Sequence, residues 1–547
     1  MSTRSIDRRS AEMSLAYVLT AFFFFGIGAL AGLLQGLVRG GVITLPEWIN
    51  YYQILTAHGV LMGLVFTTFF IVGFFYAGMA KTITLPKLSV KLGWLGWVVM
   101  FFGTVMAVAT ISTGEASVMY TFYAPLKASP WFYIGSTLLV IGSWIAGAGM
   151  TYAYTQWRKQ NTNQRSPLFT FMVMATLVLW YVATLGVAAE MLFQLIPWSF
   201  GWTDTVNVVL SRMLFWFFGH PLVYFWLMPA YAAWYNCVPK IIGGKIFSDS
   251  LARVVFILFI LLSIPVGFHH QLTEAGISEK WKIVHVALTL GVVLPSMMTA
   301  FSSFATFEAV GRAKGARGVF GFFKKLPYGD VRFFAPFMGM LFFIPAGIGG
   351  IINTSNQMNV VVHNTIWVTG HFHITVGAAV ALTFFGIAYW LIPSLMGRQL
   401  TKGAHRAGII QTLFWTVGML IMSGAMHFMG LLGVPRRTDY TTYMDDPLGL
   451  SWMKYETLMA IGGVLLFISA VLMICNAIYL WKFAPVGETE FPMAENSLEV
   501  RQQTPRILEN WKVWIAILAF LILVSYGYPI YDAIVHAPPG APGMKTW

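Results

Sequence analysis

The sequence predicts an all-α, polytopic membrane bundle of about thirteen spanning helices, folded as one domain over residues 1–547. Composition is the first reason: 57% of the residues are hydrophobic and 10% charged, where soluble domains carry about 25% charge. Mean hydropathy of +0.70 is the second. The third is a recurrence of apolar segments near the length of about 20 residues that a bilayer demands, with basic loops at every second connection.

The segments lie near 15–38, 52–80, 91–112, 130–155, 168–197, 205–236, 251–272, 283–310, 333–356, 362–395, 405–432, 452–481 and 510–533. The first, from about Ala16 to Val38, has the length of a span and no small-residue cleavage pattern after it, so it reads as a retained helix. Arg4, Arg8 and Arg9 precede it; Lys81, Lys87 and Lys91 follow the second segment, Arg158, Lys159 and Arg165 the fourth, and Lys240 and Lys245 the sixth. Arg312, Lys314, Arg317, Lys324 and Lys325 follow the eighth, and Arg398, Lys402 and Arg406 the tenth. Basic loops stay inside, which places the N-terminus in the cytoplasm and, with an odd number of spans, the C-terminus outside.

This topology also accounts for the net charge of +13. No basic soluble module is present, so nucleic acid is excluded as a partner. The two cysteines, Cys237 and Cys475, make neither a disulfide framework nor a thiolate metal cluster. Aromatic content of 16%, with 21 Trp and 29 Met, suits lipid-facing belts and packing around flat cofactors.

Ionisable side chains at membrane depth are costly and mark sites. In TGHFHITVGAAV, His371 and His373 stand two residues apart, and helical residues i and i+2 point about 200° apart. One helix therefore offers a ligand to each of two groups. A core histidine that only hydrogen-bonds a neighbour is the ordinary alternative, but further histidines share the depth. His58 lies in YYQILTAHGVLMG, His220 in FFGHPLVYFW, His269 and His270 in PVGFHHQ, and His363 opens the tenth segment. At 1.5 Å per residue, His58 and His371 or His373 sit about 10–17 Å below the outer ends of their helices.

Two trans-axial imidazoles make a low-spin, electron-passing haem, whereas one imidazole leaves a position open for a gas. The trio His220, His269 and His270 offers three nitrogen ligands suited to copper or zinc. Adjacent histidines share no helical face, so Pro265 and Gly267 predict a local distortion before them. Tyr224, one turn after His220, brings a phenol to that metal. Arg436 and Arg437, in GVPRRTDY, break the charge pattern of their side of the membrane and suit the carboxylates of a buried cofactor.

YYQILTAHG, GEASVMYTFYAPLK, FFGHPLVYFWLMPAY, PVGFHHQ, VVHNTIWVTGHFH and GVPRRT together resemble subunit I of the haem-copper oxygen reductases, in the B-type branch of Thermus-like terminal oxidases. The resemblance covers almost the whole chain and implies two haems and one copper ion. It implies that His58 and His373 ligate the low-spin haem, that His371 is the proximal ligand of the high-spin haem, and that His220, His269 and His270 hold the copper. It further implies a covalent bond between Tyr224 and His220, and contacts from Arg436 and Arg437 to haem propionates. Related chains place an aspartate where this sequence has Asn359, four residues before His363 and beside a propionate; asparagine keeps the hydrogen bond and removes an ionisable group.

Tyr231 and Tyr235 continue the face of Tyr224, and Ser296, Thr299, Ser302 and Ser303 recur on the eighth segment. Together they resemble the K-type proton pathway of the branch, while a hydroxyl stripe also serves as packing glue. Leu222 stands where the A-type branch carries a glutamate, and KTITLPKLSVK has no acid, so that branch's second proton channel is expected to be absent. The implied activity is reduction of O2 to water coupled to proton translocation. Electrons come from cytochrome c or quinol, the former through a subunit II with a dinuclear copper centre. The alternatives are a nitric oxide reductase on the same scaffold, against which Tyr224 argues, and a proton-relaying transporter, which leaves three ligand sets at one depth unexplained.

Overall fold

A segment crossing lipid must satisfy its own amide and carbonyl groups, and helices do so within the segment. The computed structural model describes residues 5–439, 446–494 and 504–545. Within it the apolar segments become α1 (Arg8–Arg39), α2 (Tyr51–Thr82), α3 (Lys87–Ser112), α4 (Pro130–Gln160), α5 (Leu168–Ser199) and α6 (Val208–Ile241). The seventh, α7, is only Asp249–Ser263. Then follow α8 (Glu279–Ala313), α9 (Val331–Thr354), α10 (Ile366–Met396), α11 (Lys402–Leu431), α12 (Pro447–Phe483) and α13 (Trp511–Val535). Among the described residues, twelve of these helices are long and apolar enough to span. The seventh expected segment, 251–272, stops early because Pro265 and Gly267 break it, and the chain re-forms as a tight turn at Gly267–Gln271.

Polar caps mark where the chain turns into helix. Asp7 accepts from Arg9 and Ser10 ahead of α1, Asn50 and Gln53 make a reciprocal capping box ahead of α2, and Asn207, Ser248, Asp330 and Thr365 cap α6, α7, α9 and α10. The only strand pairing of more than an isolated bridge among the described residues is the two-residue Thr205–Val206 with Ala541–Pro542.

The apolar stretches of α2 and α10 are each 94% buried, against 28% for α8 and 22% for α13. The helices that carry His58, His371 and His373 are therefore those around which the bundle closes. Both widen into a π-type turn beside their histidines, at Val60–Phe66 in α2 and His373–Val380 in α10, a feature frequent at functional sites.

The outlying α13 is tied down at its start. Arg253 of α7, fully buried, donates to Asp249 (2.6 Å), to Glu509 (2.8 Å) and to the Ser166 carbonyl (2.7 Å), and Arg158 pairs with Glu509 at 3.2 Å. Removing one member leaves a buried charge uncompensated, so Glu509→Ala is expected to cost about 3–5 kcal/mol. Thermal unfolding with limited proteolysis of α13 reads it; an unchanged melting curve would count against a structural role for the cluster.

Candidate functional site

His58 and His373 face each other across the bundle, with ring centres 6.2 Å apart and planes within 11° of parallel. Two imidazole–metal bonds of about 2.0–2.1 Å, plus roughly 1 Å from each nitrogen to its ring centre, give about 6 Å. Both rings are oriented by their other nitrogen: His58 Nδ1 meets the Gly28 carbonyl at 2.8 Å, and His373 Nδ1 the Thr369 carbonyl at 2.8 Å. With Nδ1–H donating, each Nε2 keeps a free lone pair. The pair fits one six-coordinate metal.

His371 points the other way. Its Nδ1 is buried without a hydrogen-bond partner and lies against α9 at Gly349, where an added Cβ would stand 2.5 Å from it. Only glycine admits the ring there, and Nε2 is left for the cavity. That cavity, of about 300 Å³, is lined by His58, His270, His371, His373, Arg436 and Arg437 among others.

His220, His269 and His270 bring one ligand nitrogen each to within 4.8 Å of one another. His220 Nδ1 and His270 Nε2 are 3.1 Å apart, near the spacing of two nitrogens bound to one ion at about 2.0–2.1 Å. Thr289 donates to the His285 carbonyl (2.6 Å), so His269 Nδ1–H donates to the Thr289 oxygen (3.0 Å) and the Val266 carbonyl (2.7 Å). Nε2 of His269 is therefore its ligand atom. His220 Nε2 is buried and unpartnered, and the Tyr224 ring lies 5.3 Å from the His220 ring.

Arg436 and Arg437 form the polar wall. Arg436 donates from its backbone to the Asn364 carbonyl (2.9 Å) and from Nη2 to Asn364 Oδ1 (2.8 Å), while its Nε has no partner. Burial and the adjacent Arg437 push the Arg436 guanidinium down to about 10. Two neighbouring cations with an unpaired N–H suit an anionic ligand. His363 Nδ1 meets Asn359 Oδ1 at 3.0 Å, and Asn359 Nδ2 donates to the Asn353 carbonyl at 2.6 Å. Burial, with Arg436 nearby, holds His363 down at about 4; its Nε2 is unpartnered.

Residues 12–465 match the family model for cytochrome c and quinol oxidase polypeptide I. Cytochrome c oxidase subunit 1 of Thermus thermophilus is 38% identical over 98% of this chain and 97% of that protein. The Thermostichus vulcanus subunit 1 is 25% identical over 93% of this chain and 90% of its own length. A haem-copper terminal oxidase dimer solved by electron cryo-microscopy superimposes with a TM-score of 0.93 at 38% identity, covering 98% of this chain and 95% of that one.

The chain belongs to the cytochrome c and quinol oxidase polypeptide I family.

It is an integral membrane protein and the catalytic subunit of a terminal oxidase, a haem-copper oxygen reductase; haems and copper are the cofactors of this family, whose members associate with other oxidase subunits. The nitrogen sets described above fit those groups.

The oxidase's hydroxyl stripe is only partly joined. Tyr235 donates to Thr299 Oγ1 at 3.2 Å, and both are buried with Ser302. Tyr231 OH is buried beside the Ser296 hydroxyl, and the Phe259 ring stands 5.3 Å from both the Tyr224 and the Tyr231 rings. Ser296 donates to the Val292 carbonyl at 3.3 Å and keeps its oxygen to accept from Tyr231. Sequence reasoning missed several residues that shape the oxidase site. Thr289 sets the tautomer of His269, Asn364 (φ +58°) holds Arg436, and Trp216 stacks on His270 with ring centres 3.9 Å apart. Asn364 alone left a signal, since asparagine tolerates positive φ.

Proposed function

We propose that the chain holds two haems and one copper ion and reduces O2 to water with electrons from cytochrome c or quinol, coupled to outward proton translocation. The carrying observation is that one turn of α10 offers His373 to His58 and turns His371 against α9 at Gly349, in a cavity that His270 also lines. His58 and His373 are assigned to the low-spin haem, His371 to the high-spin haem, and His220, His269 and His270 to the copper. Arg436 and Arg437 receive the haem propionates, with His363 and Asn359 beside them. When bound, the haems and copper carry electrons and hold the gas.

The protein's own contribution is orientation and protons. Carbonyl-anchored Nδ1 atoms hold the axial rings of His58 and His373 in register. Tyr224 is placed to give a proton and an electron from its phenol at the His220 side, and the unpartnered His220 Nε2 beside it supports the covalent bond that family resemblance implies. This phenol favours oxygen over nitric oxide as substrate. Protons are assigned the route Ser302, Thr299, Tyr235, Ser296, Tyr231 and Tyr224. Thr299→Ala is expected to slow proton uptake and turnover about tenfold or more; flow-flash kinetics with a pH dye read it, and an unchanged rate would reduce the stripe to packing.

Similarity to the subunits of Thermus thermophilus and Thermostichus vulcanus supports a prokaryotic plasma membrane, and the Lys and Arg loops support an N-terminus in the cytoplasm and a C-terminus outside. Electron delivery is assigned to a partner subunit II carrying a dinuclear copper centre, or to direct quinol donation. Oxygen consumption by the purified complex with reduced cytochrome c and with quinol, alongside haem and copper analysis, tests the reading. Reduction of nitric oxide without oxygen uptake would overturn it.

A further inference from the structure

The broken seventh helix creates a need that other helices meet. A turn starting afresh at Gly267 begins with amide N–H groups that its own residues cannot satisfy, and buried amides left unpaired are costly. Gly267 N–H donates to the Tyr526 hydroxyl of α13 at 2.9 Å. Phe268 N–H donates to His285 Nδ1 of α8 at 3.1 Å. Acceptance at Nδ1 fixes the His285 proton on Nε2, which donates to the Ser525 carbonyl of α13 at 3.2 Å.

The three rings reinforce the hydrogen bonds. Phe268 stacks on His285 with centres 4.1 Å apart and meets Tyr526 edge-on at 4.9 Å, while His285 and Tyr526 meet at 90° and 4.8 Å. Gly267 has no room for a side chain: an added Cβ would collide with the Tyr526 hydroxyl and the Trp216 carbonyl, and Trp216 is the residue stacked on His270. The amides one and two positions before His269 are thus gripped by side chains of α8 and α13.

We propose that His285 and Tyr526 are positioning residues for the copper site: they cap the Gly267–Gln271 turn and thereby fix the directions in which His269 and His270 present their nitrogens. The proposal rests on the assignment of those histidines as copper ligands. Partners that orient ligands typically account for about 10–100-fold in metal affinity.

The test uses the purified complex, with carbon monoxide as the probe. Tyr526→Phe and His285→Leu are expected to shift or split the infrared band of carbon monoxide on the reduced copper. Copper removed by a chelator should rise about tenfold, with the low-spin haem spectrum unchanged. His285→Asn, whose Oδ1 accepts the Phe268 N–H, should restore the band. Wild-type bands and copper retention in both variants, with copper lost from His220→Ala, would overturn the positioning role alone. Full copper in His220→Ala would overturn the ligand set and this proposal with it. Loss of both haems from Tyr526→Phe and His285→Asn alike would overturn it in favour of a general folding role.

Discussion

His58→Ala and His373→Ala are each expected to erase the low-spin haem spectrum while copper remains bound. Each imidazole is half of a facing pair whose ring centres are 6.2 Å apart, so either loss leaves one axial position empty and an electron-passing haem becomes a ligand-binding one or is lost. Oxygen turnover with an external donor should fall at least about a hundredfold. The two variants should look alike, because the pair is symmetric in its contacts: one carbonyl-anchored Nδ1 on each side. Difference spectra of the dithionite-reduced complex give the readout. Survival of both haem signals in either variant would show that the pair is not an axial pair.

Tyr224→Phe removes a single oxygen atom and is expected to cut oxygen turnover about 10²–10⁴-fold, the range for a group that transfers a proton in the transition state. Haem and copper contents should stay at wild-type values, since the His220 nitrogen that faces His270 is Nδ1 and not the Nε2 assigned to the phenol, and the Tyr224 ring packs tilted against Phe259 as phenylalanine can. Metal analysis with oxygen-electrode rates separates the two quantities. Near-normal turnover would take the phenol out of the chemistry and reopen nitric oxide as the substrate.

Much of this site was legible because ligand chemistry leaves local marks. The His371–His373 spacing required two faces, Pro265 and Gly267 announced a broken helix, and the one-turn step from His220 to Tyr224 placed a phenol beside an imidazole; each has its counterpart in the folded chain. The supporting contacts left none. Tyr526 meets Gly267 across 259 positions, and Ser525 meets His285 across 240, so a tyrosine near the end of α13 reads from sequence as one more interfacial aromatic. The hydroxyl stripe was half legible: helical spacing put Tyr231 and Tyr235 on one face, but did not show that Phe259 packs against both Tyr224 and Tyr231. Side-chain periodicity reports the face a residue occupies and not which neighbour fills the space beside it.

Carrying His371 and His373 on a single turn of α10 also makes the distance between the two assigned centres a matter of covalent geometry. Sliding or tilting of one helix against another moves both together, so thermal breathing of the bundle leaves the gap for electron tunnelling nearly constant. The π-type turn begins at His373 itself, placing that irregularity at the edge of the gauge. The molecule can therefore flex to admit gas and protons without detuning the electron transfer that feeds them.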